Sequence, residues 1–187
     1  MRPLHRIVLW LGALALTAGP ARTAEAAPAA EGVNEQKLYA VIAGYLAAFP
    51  NYVRWPDDAM APGEPLRIGV LGRDPFGAVL DQAMAGKTAG GRKLAVMRGR
   101  EPAELAQCQI VFADHPRPEV MAAFAAARSV LTIVFAIEAP APDAMIGLVL
   151  TKDGNVRYTL NIARLRGAGL LPSAGLLRSA FAPAPKP

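Results

Sequence analysis

Few side chains in this 187-residue sequence could do chemistry, and their types and spacing limit what that chemistry could be. His115 is the only histidine beyond the first few residues, and no G-x-S-x-G elbow accompanies it, so a serine hydrolase has little to stand on. His115 and the single thiol, Cys108, make a poor transition-metal site where three or four ligands are the rule. Asp57 and Asp58, adjacent in a loop, read as two solvated charges. Gly86-Lys87-Thr88 resembles the tail of a phosphate loop, but the spacing requires a glycine where Asp81 stands. It also follows a helix, whereas a phosphate loop must lead from a strand into one. Gly86 is better explained as the left-handed residue that ends a helix. Gly69, Gly72 and Gly77 lack the G-x-G-x-x-G spacing of a dinucleotide site. No catalytic residue, no metal site and no cofactor are therefore assigned.

Binding is a better prospect. Arg73 and Asp74 follow the apolar run Leu66 to Leu71 and would sit at the carboxyl end of a parallel strand, where open α/β sheets place ligands. Phe76 and, from a later strand end, His115 join this candidate site. Tyr52 and Trp55 form a second aromatic group, which either closes the core or anchors a partner.

The elements that must position these residues are legible from periodicity. Leu38, Val41, Ile42, Tyr45, Leu46 and Phe49 recur at helical spacing behind an N-cap at Asn34, and Pro50 should end or kink that helix. Leu66–Leu71 is a strand. A helix with Pro75 in its first turn and carrying Phe76, Val79, Leu80 and Met84 follows, then a strand over Lys93–Met97. The pattern repeats with a short helix at Pro102–Ala106, a strand at Gln109–Ala113, a helix at Pro118–Ala127 and a strand at Val130–Phe135. Such repeats predict a mostly parallel sheet. Ile146–Thr151 and Val156–Ile162 flank Lys152-Asp153-Gly154-Asn155, which predicts a hairpin. Helical pieces at Ala163–Gly167 and Ala174–Phe181 close the chain. The fold class expected is α/β: a single domain with a mostly parallel sheet, helices on both faces and a C-terminal antiparallel hairpin.

The N-terminus reads as a secretion leader over residues 1–26. Arg2, His5 and Arg6 precede an apolar stretch, and Ala24-Glu25-Ala26 supplies small residues for cleavage near Ala26. The uncharged run from Ile7 to Ala21 would reach only about 22 Å as a helix, short of a hydrocarbon core of about 30 Å. Cleavage lowers the formal net charge from +5 to +3, with no dense basic block, so no nucleic-acid partner is expected. Residues 27–33 and 182–187 read as flexible Ala/Pro-rich ends of a domain spanning 34–181, and the expected location is the periplasm. A lone cysteine opening an apolar run reads as a buried thiol.

Taken in order, several stretches resemble the YfiR/HmsC-like family of periplasmic regulators. They are Val53-Arg54-Trp55-Pro56, Ile68 through Gly77, Gly86-Lys87 with Gly91-Arg92, and Cys108-Gln109-Ile110-Val111-Phe112. Further on come Val130-Leu131-Thr132-Ile133, Val156-Arg157-Tyr158, Asn161, Gly169-Leu170, Ser173 and Leu176-Leu177. Beside a homodimer and a sensor-kinase partner, which the reading leaves open, the resemblance implies a secreted protein that binds the periplasmic domain of an inner-membrane diguanylate cyclase. It would hold the enzyme inactive, lower cyclic-di-GMP signalling, and so govern biofilm formation. It implies no catalysis in this chain. Asp143-Ala144 and Pro50 depart from the family pattern, and a single cysteine closes off regulation by an internal disulfide. The alternative is a small-molecule binder holding an anionic or amino-acid-like ligand at Arg73, Asp74 and His115.

Overall fold

The first long apolar stripe does form a helix, α1 (Glu35–Ala48), with the Asn34 side chain accepting the Lys37 amide at its head. Pro50 does not kink α1; the chain tightens into one 3₁₀ turn, Phe49–Asn51, before the short strand β1 (Val53–Arg54). The computed structural model describes residues 34–115, 118–124, 127–136 and 144–181. The leader, both terminal segments and Asp143 lie outside the described residues.

Seven strands form the main sheet: β2 (Leu66–Leu71), β3 (Thr88–Ala89), β4 (Arg92–Gly99), β5 (Ile110–Asp114), β6 (Leu131–Ala136), β7 (Ile146–Leu150) and β8 (Val156–Leu160). Their spatial order is β3-β4-β2-β5-β6-β7-β8. The five central strands are parallel, and an antiparallel strand closes each edge, β3 against β4 and β8 against β7. The hairpin expected at the C-terminal edge is therefore present, whereas β3 is an antiparallel edge that periodicity did not reveal. Its two residues are too few for an alternating pattern to register.

Both faces of the sheet are covered. On one, Ile68, Val70, Ile110, Phe112, Ile133 and Phe135 pack against α1, against Leu80 and Met84 of α2 (Ala78–Met84), and against two C-terminal helices, α4 (Ile162–Gly167) and α5 (Ala174–Ser179). On the other, Leu71, Val111, Ala113 and Val134 meet Leu105 of the 3₁₀ turn Pro102–Leu105, and Met121 and Phe124 at and just beyond the helix α3 (Pro118–Ala122). Alternation along each strand sends successive residues to opposite cores.

Gly69 shows how closely the second layer approaches. A Cβ there would lie 2.9 Å from Cys108 Sγ and 3.1 Å from Leu105. Gly99 on β4 offers Leu105 a matching seat, also at 3.1 Å. Gly69 is thus a packing residue and not part of a nucleotide fingerprint. Cys108 is buried, and desolvation pushes its thiol up to about 11.

Three boundaries differ from the periodic reading, two of them for identifiable reasons. α2 starts at Ala78, after Pro75 and Phe76, because Asp74 Oδ1 accepts the amides of Phe76 (2.8 Å) and Gly77 (3.3 Å), and Gly77 has φ +51°. Asp74 therefore makes an Asx turn where helix was expected. α3 ends at Ala122 and gives way to turns at Ala123 and Phe124. Ile162 leaves β8 and opens α4, because the Asn161 side chain caps the Arg164 amide. A ribbon also went unread from sequence: β1 pairs antiparallel with β9 (Leu171–Pro172), Val53 facing Pro172 and Arg54 facing Leu171.

The outer edge of β8 is occupied. The Tyr45 hydroxyl donates to the Val156 carbonyl at 3.1 Å, and the Phe181 amide donates to the Tyr158 carbonyl at 2.8 Å.

Candidate functional site

Arg73 and His115 do come together, because β2 and β5 are parallel neighbours whose carboxyl ends align, Leu71 opposite Ala113. What joins them is Asp114, the last residue of β5, which was not among the residues singled out from sequence. Its side chain is only 5% exposed. Asp114 Oδ2 accepts from the Tyr39 hydroxyl at 2.9 Å and from Arg73 Nη2 at 3.2 Å, while His115 Nδ1 lies 2.7 Å from Oδ1. A carboxylate accepts, so Nδ1 carries the proton, and the side chain is close to half exposed.

Tyr39 arrives from α1 and forms edge-to-face contacts with Phe76 at 5.6 Å and Phe135 at 6.1 Å. Burial, and then the hydrogen bond to Asp114, push its phenol up to about 12, so it stays a neutral donor. Arg73 is 72% exposed at its side chain, and its contact with Asp114 raises its already high pKa further. His115 holds φ +46°, with its amide donating to the Phe135 carbonyl and its ring edge-on to Phe135 at 5.4 Å.

The other candidates at this end have structural roles. Phe76 is 4% exposed and packs on Tyr39 and Phe112. Both oxygens of Asp74 are committed, Oδ1 to the turn and Oδ2 to Arg98 Nε at 2.6 Å. Arg98 also forks onto Asp81, at 2.6 Å and 3.2 Å, and donates to the Gly77 carbonyl at 3.0 Å. It thereby holds the Asp81 carboxyl below its ordinary range.

Tyr52 and Trp55 lie at the opposite end of the sheet. Trp55 is buried, and its indole N–H donates to the Ser129 carbonyl at 3.0 Å, just before β6 begins. It closes the core, whereas Tyr52 is 47% exposed. Tyr52 lines a cleft of about 620 Å³ with the β1/β9 ribbon, Met60 and Arg92. Leu171, 55% exposed, lines the same cleft. Arg92 braces its wall, its guanidinium donating to the carbonyls of Ala61 (2.7 Å), Glu64 (2.9 Å) and Met60 (3.4 Å).

Among the described residues no group of three or more His, Cys, Asp or Glu side chains could hold a metal ion, and no helix is long and apolar enough to cross a membrane. The parallel five-strand centre, with its connections covering both faces, defines a doubly wound α/β protein. Within that class the chain belongs to the YfiR/HmsC-like family, whose model matches residues 39–180. No curated protein matches the chain significantly.

Proposed function

We propose that this chain is a periplasmic regulator that binds the periplasmic domain of an inner-membrane diguanylate cyclase, or of a sensor kinase, and keeps it inactive. The observation that carries the reading is family membership over residues 39–180, nearly the whole folded domain. The leader-like N-terminus is consistent with it. The reading assigns this chain no catalysis. Repression needs only differential affinity: binding the inactive conformation about a hundredfold more tightly supplies roughly 2.7 kcal/mol.

The docking face is assigned to the β1/β9 ribbon, where Tyr52 and Leu171 stand exposed beside one cleft. A half-exposed tyrosine at the foot of a strand ribbon is the type of side chain that anchors protein interfaces. The test is co-purification from detergent-solubilised inner membrane together with cyclic-di-GMP measurement. Deletion should raise cyclic-di-GMP, and Tyr52→Ser should reproduce the rise at normal protein abundance, as expected for an anchor worth about 2 kcal/mol. Unchanged nucleotide levels in the deletion strain would remove the reading.

A further inference from the structure

The chain leaves β2 for α2 on one face of the sheet and leaves β5 for α3 on the other. Counted along the chain, the five parallel strands lie in space as second, first, third, fourth and fifth. The connections therefore part between the carboxyl ends of β2 and β5, and sheets of this kind take their ligands where the winding reverses. Arg73 and His115 stand at that point, one from each strand.

We propose that this crevice binds a small oxyanion, the carboxylate or phosphate group of a small molecule, between the Arg73 guanidinium and the His115 imidazole. Asp114 acts as the buried carboxylate that aims both. The two side chains share one anchor, Oδ2 for Arg73 and Oδ1 for His115, so both are tethered to a single carboxylate at the strand ends. The anchor is almost fully buried, yet both groups it holds are open to solvent, Arg73 at 72% and His115 at 46%. Each keeps unused donors: Nε and Nη1 on Arg73, and Nε2 on a protonated His115. Asp114 supplies one negative charge between the two groups, so whenever the imidazole carries a second proton the cluster has one net positive charge for an anion to neutralise.

The backbone supports this. His115 holds φ +46°, a conformation unfavourable for a residue with a Cβ, fixed by the hydrogen bond its N–H donates to the Phe135 carbonyl and by its ring contact. Strain of this kind is concentrated at ligand sites. Asp74 takes no part, since both its oxygens are occupied. Glu35, at the head of α1, is the other carboxylate acting on Arg73, and its exposure leaves that influence screened.

The inference does not depend on the repressor reading, because its test needs no partner. The full folded chain is titrated with inorganic phosphate and separately with succinate, against a chloride series of equal ionic strength, while backbone and imidazole NMR signals are followed. The expected result is a saturable shift at Arg73, His115 and Tyr39 with one of the two anions or both, at a Kd of about 1 mM or tighter. Tighter binding of phosphate or of succinate identifies which group the crevice prefers. Arg73→Gln and His115→Gln should each weaken binding about tenfold, and Arg166→Gln, on distant α4, should leave it unchanged. If His115→Gln disturbs the strand end, the exposed Arg73→Gln variant decides alone. Shifts no different from those of chloride, or unaffected by Arg73→Gln, would overturn the proposal.

Discussion

Arg98 ties together three pieces of chain at the carboxyl end of the sheet: the strand that carries it, the Asp74 turn and the first turn of α2. Replacing it with methionine should lower stability by about 1–2 kcal/mol, a figure discounted because Asp81 is half exposed and water screens the pair. The denaturant midpoint would show it. The pH dependence has a definite sign. Asp81 holds its proton less tightly in the folded chain than in the unfolded one, because Arg98 hydrogen-bonds its charged form. Its contribution is complete above the ordinary carboxylate value of 3.8 and disappears as the pH falls through the depressed one. The Arg98→Met protein should therefore lose less stability than the parent on acidification below about pH 4. Asp74's part in this went unread, because a helix and a binding role were expected there, although an aspartate at a strand exit commonly bonds amides two and three residues on. The role of Asp114 was not readable. Tyr39 lies 75 residues from it and Arg73 lies 41, so only the folded chain makes a hub of what reads locally as a turn.

Among the elements, the 3₁₀ turn Pro102–Leu105 depends on two absent side chains. Leu105 fills the space above Gly69 and Gly99, and a methyl group at either would meet atoms at 3.1 Å or closer. Gly69→Ala should cost about 1–3 kcal/mol, because the neighbours are the fully buried Leu105 and Cys108, which have little room to give. Chemical denaturation measures the loss, and a neutral result would show that this layer is loosely packed. The central strands were legible because a strand buried on both faces reads as a continuous apolar run. Helix starts were legible where Asn34 caps its own helix. The β1/β9 ribbon was not, since two residues at each end of the domain carry no period and meet only because α1 and α4 deliver them to one place. That ribbon brings Leu171 beside Tyr52, so half of the candidate interface was out of reach of sequence patterns.

For the whole molecule, motif order along the chain identified the family where no single motif would have. The two groups of candidate residues nevertheless occupy opposite ends of the sheet, Trp55 bonded ahead of β6 and Asp114 closing β5. A protein contact at one end and an anion at the other make two separately mutable surfaces on one rigid scaffold. Tyr52→Ser should leave anion titration unchanged, and Arg73→Gln should leave partner capture in unliganded buffer unchanged.

The stretch that follows α5 gives the fold a guard against self-polymerisation. Sheets with an open border invite strands from other molecules, and here the last described residue, Phe181, has taken up the Tyr158 carbonyl, while a tyrosine hydroxyl from α1 takes up that of Val156. A chain terminated at Ser179 would free the Tyr158 carbonyl and leave that border covered only by Tyr45. It should show concentration-dependent light scattering absent from the full-length protein, and equal scattering from the two would mean that the border is protected by other means.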